Sequence, residues 1–61
     1  MNEFALTSFE VSELARAVGL AVEVMPDGNA ESLVLDVFAV IRRRRPDLTL
    51  AHWREMVSEY A

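Results

Sequence analysis

The residues of this chain that could do chemistry are few. His52, Glu55 and Glu59 fall at i, i+3 and i+7, which puts them near one face of a helix with the spacing of metal ligands. With one histidine and no cysteine in 61 residues, that set does not complete a site, and His52 reads as a surface residue. Asp36 interrupts the apolar run Leu33–Ile41, where a carboxylate must pair or face solvent; Arg16 or an arginine of another copy could serve as its partner. Arg42, Arg43, Arg44 and Arg45 follow that run directly. Consecutive helical residues point about 100° apart, so these guanidinium groups spread round a helix end instead of lining one phosphate groove. They complement the negative end of the helix dipole and can steer an acidic protein surface. No catalytic, cofactor-binding, metal-binding or small-molecule signature emerges, and a non-enzymatic protein is expected.

Composition sharpens this. A single domain of this length buries only about 60% of the surface its unfolded chain exposes, so stability is marginal without disulfides, a metal or a partner. Cysteine is absent, which leaves a partner or another copy. The chain is 52% hydrophobic and 26% charged, the balance of a folded protein. Its net charge of −4 is unevenly spread: residues 1–41 hold seven acids against Arg16, and residues 42–61 hold five arginines against three acids. The acidic total argues against nucleic acid as the main partner. The start lacks a signal peptide's basic and apolar regions, and the apolar run is less than half a membrane span, so a cytoplasmic protein is expected.

The elements follow from local signals. Phe4 and Leu6 are candidates for a lid on the core. Thr7 and Glu10 have the form of a capping box, with Leu6 and Val11 at the staple positions. Val11, Leu14, Ala15, Val18, Val22 and Met25 then form one apolar helical stripe. Gly19 is a weak point that could serve as a C-terminal cap, which leaves a short strand at residues 20–25 as the alternative. Pro26-Asp27-Gly28-Asn29 is a turn, with Asn29 the N-cap of a second helix that is apolar nearly all round and stops at Pro46. Thr49 caps a third, with Leu50, Trp53, Val57 and Tyr60 on its stripe and Leu48 placed to staple onto Trp53. The expectation is all-α: one domain over residues 1–61, with helices near 8–25, 30–44 and 49–60 and the middle helix as the core.

Two resemblances bear on function. Ser12 to Leu20 is similar to the first helix and turn of helix-turn-helix domains, but Ala21-Val22-Glu23-Val24-Met25-Pro26 lacks the polar, basic character of a recognition helix. The stretch Ala30 to Val57 resembles the C-terminal part of small tail assembly chaperones of tailed bacteriophages. There an apolar helix runs into paired arginines, then a proline turn and a last helix; here these are Val37 to Arg43, Pro46-Asp47-Leu48-Thr49 and Trp53 to Val57. The resemblance implies a non-enzymatic protein that shields a hydrophobic helical tape measure protein.

Two amphipathic helices cover only part of an all-round apolar one, so an apolar strip should remain for a protein partner or a second copy. The expected contact residues are Phe38, Ile41, Leu50, Trp53, Val57 and Tyr60, with Arg42, Arg43, Arg44 and Arg45 steering. The alternatives are a structural subunit of a homo-oligomer or phage particle, and a small DNA-associated regulator.

Overall fold

A computed structural model describes residues 5–26 and 28–61 and gives three helices: α1 (Ser8–Glu23), α2 (Asn29–Ile41) and α3 (Leu50–Ser58). The chain is all-α, and no strand occurs among the described residues; residues 20–23 are the last turn of α1. Phe4 and Asp27 lie outside the described residues, and with them the lid expected of Phe4.

The starts of α1 and α3 are set locally. The Glu10 amide donates to Thr7 Oγ1 at 3.1 Å, and the Thr7 amide donates to Glu10 Oε1 at 2.8 Å, the reciprocal pair of a capping box. That amide holds the Glu10 carboxyl below its ordinary value, with the Thr7 hydroxyl contact second and the charge of Arg44 a smaller aid. A group depressed in the folded state contributes stability above its unfolded value, which is lost as pH falls through the folded one; this end of α1 therefore loosens in acid. Thr7→Ala removes the side-chain acceptor and is expected to cost about 1 kcal/mol, a fall of roughly 4–8 °C in melting temperature for a domain this small. Thermal unfolding followed by circular dichroism measures it, and an unchanged midpoint refutes the cap's contribution. Thr49 Oγ1 accepts from the His52 amide at 3.1 Å and caps α3.

At α2 the expected boundaries shift. Gly28, at φ 92°, is the N-cap and makes no side-chain hydrogen bond, and Asn29 is already helical. The left-handed backbone at this turn suits glycine, which displaces Asn29 from the capping role. The helix ends at Ile41, three residues before the expected stop. The chain then tightens, with the amides of Arg44 and Arg45 both donating to the Ile41 carbonyl at 2.9 Å.

The core is Val11, Ala15 and Val18 of α1, Val34 and Ile41 of α2, Leu48 of the connection, and Trp53 and Val57 of α3. The middle helix contributes Val34 and Ile41 to that core, beside residues of both neighbours. Trp53, wholly buried, is the largest side chain inside, and its Nε1 donates to the Val34 carbonyl at 3.0 Å. That hydrogen bond secures the one polar atom of the indole, so the ring is buried without leaving a donor unpaired. Gly19, also expected as a weak point or cap, lies inside α1, where an added Cβ would stand 2.7 Å from the Val57 carbonyl oxygen of α3.

Candidate interaction surface

Of the α2 residues, only Val34 and Ile41 are buried; Leu33, Val37 and Phe38 are half-buried, and Leu35, Ala39 and Val40 are exposed. A helix that is apolar on every side can turn only part of itself inward, and the remainder faces out. On that outer side an open groove of about 370 Å³ runs between α1 and α2, with Leu6, Leu14, Val37 and Val40 along it and Ile41 beneath. Val40 is 65% exposed. Asp36 and Arg44 are the two charged residues of the lining.

The expected contact residues separate on the structure. Ile41, Trp53 and Val57 are buried core residues that present almost no surface of their own, with Ile41 contributing only to the floor of the groove. Leu50 is half-buried against that core. Tyr60 is partly exposed, with its Cβ and backbone over Gly19 at the α1–α3 approach. Phe38 is half-buried, and the Arg42 guanidinium stands 6.0 Å from its ring centroid, at the outer limit of a cation–π contact.

The arginines divide in the same way. Arg45 is committed internally, which corrects its assignment to steering. Its Nε and Nη2 each donate to an oxygen of Asp47 at 3.0 Å, and its Nη1 donates to the Leu6 carbonyl at 3.2 Å. Since the Leu6 amide also donates to the Arg44 carbonyl at 3.3 Å, this guanidinium ties the approach to α1 onto the α2–α3 turn. Its hydrogen bonds to Asp47 lower the Asp47 pKa and raise that of Arg45. Arg43 and Arg44 are exposed and carry no side-chain hydrogen bond or ion pair among the described residues. Arg54 makes a forked pair with Glu31, at 3.0 and 2.7 Å, linking α3 to α2 at the surface.

Asp36 takes the solvent-facing alternative: it is exposed, and Arg16 pairs with Glu13 at 3.9 Å instead. His52, Glu55 and Glu59 are all exposed, and among the described residues no group of three such side chains could hold a metal ion. No described helix is long and apolar enough to cross a membrane.

The groove brings together Leu14, Val37 and Val40, which sequence reasoning did not single out as contact residues. The available signal was the all-round apolar pattern of α2, which shows that some face is left over but not which one. No family model matches the chain, and no curated protein or solved structure matches it significantly.

Proposed function

We propose that this chain is a non-enzymatic protein–protein interaction module that takes an apolar helix of a protein partner along the α1–α2 groove. The observation that carries the reading is the exposed valine, Val40, in an apolar channel flanked by Leu14 and Val37. An open trough between two helices suits the exposed stripe of an amphipathic helix, as in other helix-in-groove recognition. Its finer form is the assembly chaperone suggested by residues 30–57: the groove shields a hydrophobic helical segment, in the host cytoplasm if the chain is of phage origin, without cofactor, metal or small-molecule substrate. Arg43 and Arg44 remain as steering charges.

A structural subunit of a homo-oligomer is the second reading, favoured by the pairing of one acid and one base on the same groove. A DNA-associated regulator has less support, because α1 continues unbroken through residues 12–20 to Glu23 and provides no separate recognition helix there.

The test is co-expression with a hydrophobic helical segment of a phage tape measure protein. The chain is expected to hold that segment in the soluble fraction and co-purify with it, and Val40→Glu, which places a charge in the channel, is expected to abolish both. If the segment aggregates equally with and without the chain, the chaperone reading fails.

A further inference from the structure

We infer that the groove receives the second helix of another copy of this chain, packed antiparallel about a two-fold axis at Val40. The inference rests on reading the groove as a protein-docking surface and names its occupant. Asp36, Val40 and Arg44 are spaced by four residues, the separation that sets helical side chains one above another along a ridge. Although α2 ends at Ile41, the hydrogen bond from the Arg44 amide to the Ile41 carbonyl continues the winding, and Arg44 lines the same groove as Asp36.

The ridge therefore reads acid, valine, base, with the valine at its midpoint. A two-fold rotation about that midpoint reverses the order, so that Asp36 meets the partner's Arg44 and Arg44 meets the partner's Asp36, while the two valines close on each other. Such an isologous contact uses one patch twice. A parallel copy sets acid against acid, and an uncharged apolar helix leaves both ends unmatched. Within the chain both charges remain available: neither side chain has a hydrogen bond or ion pair among the described residues, and Glu10 feels the charge of Arg44 without pairing to it.

Sedimentation equilibrium of the full chain at low salt tests this. The wild type is expected to dimerise with a Kd on the order of 10–100 μM, as suits a small contact, and to weaken as salt screens the pairs. Asp36→Arg alone and Arg44→Asp alone each turn two attractions into two repulsions and are expected to weaken the dimer ~100-fold. Mixed in equal amounts, the two variants are expected to associate as tightly as the wild type, because every arginine at these positions then faces a carboxylate. A wild type that stays monomeric to about 500 μM, well above the expected Kd, overturns the inference, as does a dimer indifferent to both substitutions or a mixture that stays apart. Titrating the monomeric wild type with the tape measure segment used in co-expression separates the two failures. Binding there removes only the second copy as occupant, and its absence removes the docking surface as well.

Discussion

Gly19→Ala is expected to destabilise the protein, although helix propensity alone predicts the reverse. Alanine is favoured over glycine by up to about 1 kcal/mol inside a helix, and Gly19 lies well within α1. A Cβ at this position, however, would stand 2.6 Å from the Cβ of Tyr60 and 2.7 Å from the carbonyl oxygen of Val57. The second of these is backbone of α3 and cannot rotate away, so α1 and α3 must separate across the interface that holds Trp53. Overpacking of this kind costs about 1–3 kcal/mol, leaving a net loss of up to roughly 2 kcal/mol after the propensity gain. For a domain this small that is a fall of up to about 15 °C in melting temperature.

The sign is the decisive outcome. A rise in melting temperature would mean that the close approach does not govern the site. Two controls isolate the cause. Ala17→Gly, at an exposed position of the same helix, should lose about 1 kcal/mol by propensity alone. Ending the chain at Glu59 removes the Tyr60 contact but leaves the Val57 oxygen, so Gly19→Ala should remain destabilising in the shortened chain.

Trp53→Ala is expected to abolish the fold. Deleting a fully buried indole costs about 3–5 kcal/mol, which is as much as the single core of a domain under about 70 residues ordinarily supplies. The same substitution leaves the Val34 carbonyl without its side-chain donor and empties the largest fully buried position of a core drawn from all three helices. Trp53→Phe keeps a ring but loses the Nε1 donor and some volume; it should fold, with a lower urea midpoint. Because this is the only tryptophan, its fluorescence reports directly on the core. The native emission should be that of a water-excluded indole and shift red on unfolding. A native spectrum like that of solvated tryptophan, or a Trp53→Ala chain with full helical signal, would refute the assignment of Trp53 to the centre.

Several features visible in the sequence persist in the structure because their causes are local. The capping box joins residues three apart, and Thr49 reaches an amide three residues on; both were visible as residue types at fixed spacing. Trp53 stands on the apolar stripe of the third helix, and its indole N–H donates to the Val34 carbonyl. The N-cap of α2 was misread because Gly28 takes a left-handed backbone at the turn, and the early stop at Ile41 reflects hydrogen bonds that tighten the chain ahead of Pro46. The contact residues were harder. Trp53, Val57 and Ile41 were offered to a partner from their stripes, but a stripe shows only that a face is apolar and not what lies against it.

The amino-acid sequence specifies three helices, two of their starts, the absence of cysteine chemistry and a surplus of apolar surface on the middle helix. It could not determine which side of that helix turns inward, since a segment apolar on nearly every side carries no phase. The assembled fold alone shows that Trp53 fills the largest fully buried position, that Arg45 fastens Leu6 across 39 positions of sequence, and that Gly19 faces the backbone of α3 at close range. Each of these depends on residues distant along the chain, whose meeting is set by the joint packing of all three helices rather than by any local pattern.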